Sequence, residues 1–174
     1  MASSTAFSVN SKIDKKFVTL TCPDGVSFDV DLDVIVKYSQ TLRDLVEDCG
    51  EGVDNIPVDM ISSNDLAKIL EYLNGRADID NTSSSEENRQ TFDNQFVESL
   101  SGKPEMPRLF SVLNGANFLN CNELMDLMCK TVANMIKGKT PEEIRETFDI
   151  KNDITKEEDE KIRKENAWAF GDTL

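Results

Sequence analysis

The 174-residue chain contains no histidine. That removes the commonest general base, the Ser–His and Cys–His nucleophile pairs, and the usual zinc sites. Its four cysteines, Cys22, Cys49, Cys121 and Cys129, are scattered and form no CxxC pair, so a thiolate-only metal site has no closely spaced ligands. No apolar run approaches the roughly 20 residues needed to cross a bilayer. Positive charge is scarce: 19 Lys and Arg stand against 33 Asp and Glu, a formal net charge of −14. With no basic patch to release counterions, this balance argues against nucleic-acid binding. It suits basic protein partners better than acidic ones, although a generally acidic cytosolic protein would carry the same charge. The N-terminal MASSTAFSVNSK has no basic stretch followed by an apolar one, so export is not expected. The expectation is an intracellular protein with reduced thiols and a flexible tail over residues 1–16.

What is present reads as structure. The hydrophobic fraction of 39% and charged fraction of 30% are ordinary for a soluble protein, and the length admits one domain or two small ones. Phe17–Thr21 is apolar and β-branched, Pro23-Asp24-Gly25 supplies a turn, and Val26–Val30 alternates, which predicts a hairpin. Helical patterns follow over Leu32–Lys37 and Thr41–Cys49. The second places Leu42, Leu45, Val46 and Cys49 on one face and ends at Gly50 and Gly52. Ile56-Pro57-Val58 fits an edge strand, because proline cannot donate to a ladder. Asn64 opens a helix with Leu66, Ile69, Leu70 and Leu73 at core spacing, and Gly75 is expected to close it. Residues 76–89, RADIDNTSSSEENR, have almost nothing to bury and are expected to form a disordered loop.

The second half is helical throughout. Phe92 and Phe96 lie at i and i+4 and are expected in the core. Pro107 opens a helix with Leu109, Val112, Leu113 and Ala116 inward, and with Phe110, Asn114, Asn117 and Phe118 on another face. From Asn122 a further helix sets Leu124, Leu127, Met128, Thr131 and Met135 at core spacing, and Gly138 stops it. Two complete start signals come next. Thr140-Pro141-Glu142-Glu143 and Thr155-Lys156-Glu157-Glu158 each place a threonine cap three residues before a glutamate, the capping-box pattern.

Three features invite a chemical reading. The acid pairs Glu142–Glu143 and Glu157–Glu158 sit in first helical turns, where carboxylates offset the helix dipole, and the structural reading prevails. Gly138-Lys139-Thr140 resembles the end of a phosphate loop, but the pattern needs a glycine at position 133, which is Ala133, and a preceding strand. A catalytic carboxylate is therefore a minor alternative. Phe118 and the lone Trp168 each admit two readings, burial in their own domain or contact with a partner; aromatic anchors of the latter kind dominate interface energies.

The stretch CKTVANMIKGKTPEEIR (129–145), with TFDIKNDIT and RKENAW after it, resembles the S-phase kinase-associated protein 1 family almost residue for residue. VTLTCPDGVSFDVD, TLRDLVEDCG and NIPV resemble its N-terminal half, so the likeness runs from Phe17 to Trp168. It implies an α+β fold: a BTB/POZ-like domain over 17–137, a small sheet with clustered helices, followed by C-terminal helices over 138–174. It also implies a non-catalytic adaptor, without cofactor, that joins F-box substrate receptors to a cullin scaffold in an SCF-type ubiquitin ligase. By matching positions, cullin contacts fall at Leu113, Asn117, Phe118 and Val132. F-box contacts fall at Phe148, Ile150, Ile162, Asn166 and Trp168. The resemblance further implies a cytoplasmic and nuclear protein that binds neither nucleic acid nor membrane, and a weak homodimer through the BTB-like face.

The chain departs from the family pattern at Asn114 and Gly115, at Ser101–Pro107 and at Asn120–Cys121, all near the expected cullin surface, whereas the F-box side is nearly unaltered. That is the pattern of a divergent paralogue. The alternatives are an F-box-binding paralogue with lost or altered cullin binding, and an elongin C-like adaptor, which would lack the helices after Gly138.

Overall fold

The computed structural model describes residues 17–49, 53–82 and 85–169. The expected N-terminal tail and the helix-ending Gly50 and Gly52 lie outside the described residues. The chain divides into two units, one ending at Ala133 and the other beginning at Asn134.

In the first unit, β1 (Phe17–Thr21) and β2 (Ser27–Asp31) form the expected antiparallel hairpin, with Gly25 at φ +81° in the turn. β3 (Asn55–Pro57) pairs parallel to β1, giving the order β2-β1-β3 and leaving Pro57 on an edge. Alternation buries Val18, Leu20, Val30 and Ile56. The opposite face is polar: the Thr19 hydroxyl donates to Asp29 at 2.7 Å and the Thr21 hydroxyl to Asn55 at 2.7 Å.

Helix α1 (Leu32–Tyr38) starts at Asp31, whose carboxylate accepts the Asp33 N–H, and α2 (Gln40–Cys49) follows at once. Of the face expected to point inward on α2, only Leu42 is buried; Leu45 and Cys49 are exposed. Hydrogen bonds explain this placement. The buried Ser39 hydroxyl donates to the Leu119 carbonyl at 2.7 Å, and the Gln40 and Thr41 N–H groups reach the Asn120 and Leu119 carbonyls. The helix is anchored at its N-terminus, and beyond Leu42 its apolar face is only partly covered, with Val46 half-buried.

Helix α3 (Ser63–Thr82) is the hub, packing against α1, α4 (Glu86–Ser99) and α5 (Met106–Phe118). Here the structure corrects the sequence reading. The helix does not close at Gly75, and residues 76–82 and 86–89 are helical rather than a disordered loop. Three contacts carry the chain through this polar stretch. A Cβ on Gly75 would lie 2.3 Å from Phe92 Cζ, so the missing side chain is what lets α4 seat on α3. Arg76, 7% exposed, donates to Glu123 at 2.8 Å and lies 3.5 Å from Asp93. Asp80 accepts from Lys37 at 2.6 Å, from the Tyr38 hydroxyl at 2.8 Å and from Arg89 at 2.6 Å. Phe96 is buried and stacks edge-on with Tyr72 at 5.0 Å between ring centroids, while Phe92 is half-buried beside them.

A 3₁₀ turn over Lys103–Glu105 leads into α5, with Pro107 in its first turn. Asn120 takes the left-handed conformation at φ +50°, and the buried Cys121 donates its N–H to Ala116 at 2.8 Å. Helix α6 (Asn122–Ile136) buries Leu124 and Met128 and runs across the unit boundary.

In the second unit Gly138 turns at φ +73° into α7 (Pro141–Phe148); α8 (Lys156–Glu165) and a 3₁₀ turn (Ala167–Ala169) follow. Both expected capping boxes are formed. Thr140 N–H donates to Glu143 at 2.8 Å and Glu143 N–H returns to Thr140 Oγ1 at 3.2 Å. Thr155 and Glu158 repeat this at 2.9 and 3.3 Å. Between the helices Asp149 adopts φ +53° as the C-cap of α7.

Candidate functional site

Among its described residues the second unit has exposed apolar side chains and no buried one. None of the side chains described from Asn134 to Trp168 is buried. Phe148 is half-buried, whereas Ile150, Ile154 and Ile162 are exposed and Trp168 is 84% exposed. The two readings of Trp168 are thus separated as to burial: its ring faces solvent. Asn166 is half-buried and caps α8, its Nδ2 donating to the Ile162 carbonyl at 2.9 Å.

The helices that present this surface are held by local bonds. In addition to the two caps, Arg163 pairs with Asp159 at 2.8 Å within α8 and lies 3.6 Å from Glu142 of α7. Glu143 and Glu158 are held below the usual carboxylate range, chiefly by the cap threonines' backbone N–H groups. A carboxyl held ionised by its own helix terminus is a poor general acid at neutral pH, so these acids are structural.

A separate apolar surface lies on α5 in the first unit. Phe110, Asn114, Asn117 and Phe118 are all exposed and fall at i, i+4, i+7 and i+8 on one stripe. Leu113 and Val132 are half-buried. Gly115 is not on that stripe: it is buried, and a Cβ there would lie 2.6 Å from Ile69 Cδ1 of α3. Of the two adjacent departures, Asn114 therefore changes the outer surface, and Gly115 concerns packing between α5 and α3. Of the other adjacent departures, Asn120 forms an exposed left-handed turn and Cys121 is a buried thiol. Burial raises the Cys121 thiol to about 12, so it stays protonated and inert.

Two exposed apolar residues were not read as surface in the sequence: Leu45 was expected to point inward, and Ile154 was not singled out. Leu45 of α2, 36% exposed, lies one turn after Thr41, whose hydroxyl donates to the Phe118 carbonyl at 3.1 Å. Ile154, 37% exposed, immediately precedes the Thr155 cap. An apolar residue there commonly packs on the fourth helical position, which is Asp159 in this chain. That unmet pairing was the available signal. Among the described residues no cluster of three or more His, Cys, Asp or Glu is placed to hold a metal ion, and no helix is long and apolar enough to cross a membrane.

Comparison with known proteins matches two regions, one in the N-terminal half and one from α6 onward. Residues 16–78 match the Skp1 family tetramerisation domain and residues 122–169 the Skp1 family dimerisation domain. SKP1-like protein 1A of Arabidopsis thaliana is 41% identical over 164 residues, covering 89% of this chain and 98% of that protein. SKP1-like protein 11 of the same plant is 43% identical over 159 residues, with 91% and 99% covered. The E3 ubiquitin ligase complex SCF subunit sconC of Talaromyces marneffei is 37% identical over 159 residues, with 87% and 96% covered. With both family domains matched and about two-fifths identity sustained over nearly the whole length of its relatives, the chain belongs to the Skp1 family.

Proposed function

We propose that this chain is the non-catalytic adaptor of an SCF-type E3 ubiquitin ligase, joining F-box substrate receptors to a cullin scaffold so that receptor-bound substrates are ubiquitinated and degraded. The observation that carries the reading is the second unit: two capped helices and an exposed tryptophan after them, without a single buried side chain among those described. Exposed apolar surface of this kind marks a protein-binding site. Phe148, Ile150, Ile162, Asn166 and Trp168 form the receptor side, with Trp168 as anchor. On the first unit Asn117 and Phe118, flanked by Leu113 and Val132, form the cullin side. Holding both partners at once raises the effective concentration of substrate near the ligase. The BTB-like face of the first unit is also proposed to support a weak homodimer. A cytoplasmic and nuclear location is part of the proposal, and the four free cysteines are compatible with such reducing compartments.

Co-purification with an F-box protein, followed by recruitment of a cullin N-terminal domain, tests the reading. Trp168→Ala is expected to weaken receptor binding by about tenfold or more and to leave cullin binding alone. Phe118→Ala is expected to do the converse. Equal loss of both partners in either variant would mean misfolding, and a wild-type binary complex that excludes cullin would favour the reading in which cullin binding is lost. Asn114 on the exposed stripe is the observation behind that second reading.

A further inference from the structure

The second unit also contains an open groove of about 470 Å³, lined by Asp153, Ile154, Glu158, Lys161, Ile162 and Glu165. Positions 158, 161, 162 and 165 lie at i, i+3, i+4 and i+7, so one stripe of α8 forms one side and the segment before its cap contributes the rest. Ile154 and Ile162, 37% and 42% exposed, are the apolar part. Around them stand three carboxylates and one ammonium. Lys161 lies 4.0 Å from Glu165, and Glu158 is engaged by the Thr155 cap, yet the groove remains net acidic.

These properties narrow the occupant. A small molecule finds no enclosing walls and no convergent buried polar groups. An acidic segment would be repelled both by the groove and by a chain of net charge −14. A purely polar segment would leave two isoleucines uncovered. We propose, building on the receptor-binding reading above, that the groove receives an amphipathic segment of the receptor with aliphatic side chains against Ile154 and Ile162 and a Lys or Arg directed to Asp153 and Glu165. Charge at this groove then discriminates among receptors that share the Trp168 anchor. Specificity of this type comes from repelling wrong partners as much as from attracting the right one.

The test uses the full chain and two forms of one F-box domain: one whose aliphatic helix is flanked by Lys or Arg, and the same domain with those residues changed to Glu. Calorimetry is expected to show the wild-type chain binding the basic form about tenfold more tightly, with the margin shrinking as salt is raised. The double variant Asp153→Lys, Glu165→Lys should reverse that preference. A lysine in the last turn of α8 suits the helix dipole, and circular dichroism checks that the helix persists. Asp153→Asn should fall between the two. If the wild type binds both forms within about twofold, or the charge-reversed variant keeps the wild-type preference, the groove proposal is overturned while receptor binding stands. If the wild type binds neither form, the receptor reading itself fails and the groove proposal with it.

Discussion

Gly75 and Gly115 show how much a single residue's meaning depends on its neighbours. Gly75 sits inside α3 because Phe92 occupies the space of its missing side chain, at 2.3 and 2.5 Å from where a Cβ would lie. Gly75→Ala should gain about 1 kcal/mol of helix propensity. Displacing a ring that also contacts Tyr72 at 5.7 Å between centroids should cost about 1–3 kcal/mol. A net loss of about 1 kcal/mol is expected by urea denaturation, and it should turn into a gain in a Phe92→Leu background, because the clash is removed. A loss that persists in that background would place the cost elsewhere. The glycine was visible in the sequence; its contact was not, because Phe92 is seventeen positions away and belongs to another helix.

At the scale of elements, the legible pieces are those specified by adjacent residues. Thr140 and Thr155 satisfy orphan N–H groups within four residues of themselves, so both helix starts could be read directly. The helical stretches 76–82 and 86–89 could not, since there Asp80 meets Lys37 and Arg89, and Arg76 meets Asp93 and Glu123. Helix α8 has ten residues and buries none, which leaves it close to the limit for a helix supported by local bonds. Thr155→Ala should therefore cost about 1 kcal/mol with no packing to offset it. Amide exchange across α8 is expected to accelerate roughly fivefold, with a parallel fall in receptor affinity, and Thr155→Ser should restore both. Unchanged exchange would show that the cap is not what holds the helix.

For the whole molecule, stability should be acid-labile through Asp80, which ties α1, α3 and α4 together. The Lys37 hydrogen bond, then that of the Tyr38 hydroxyl, holds its carboxyl down to about 2, against about 3.9 for a free aspartate. A group depressed in the folded state contributes stability above its unfolded value and loses it as the pH falls through the folded one. The urea midpoint of the wild type should drop between about pH 4 and pH 2. Asp80→Asn should be less stable at neutral pH and flatter across that window. Asp93, raised by burial, works in the opposite sense, and the Asp80→Asn comparison separates the two. An equally steep acid transition in that variant would assign the effect to other carboxylates.

The sequence by itself determined the hairpin, the edge strand at Pro57, both capping boxes and the family, because each rests on local patterning or on a contiguous motif. It named Phe118, Ile150, Ile162 and Trp168 as candidate contacts, but not Ile154 or an exposed Leu45. Only the tertiary structure decided that α3 continues through Gly75, that Gly115 packs inward while Asn114 faces out, and that Ile154 joins Ile162 in an acidic groove. The two glycine outcomes depend on atoms from distant parts of the chain meeting in space, and the groove on how the segment before α8 lies beside one stripe of that helix. The same letter therefore ends one helix and seats another against its neighbour, according to which side chain arrives opposite it.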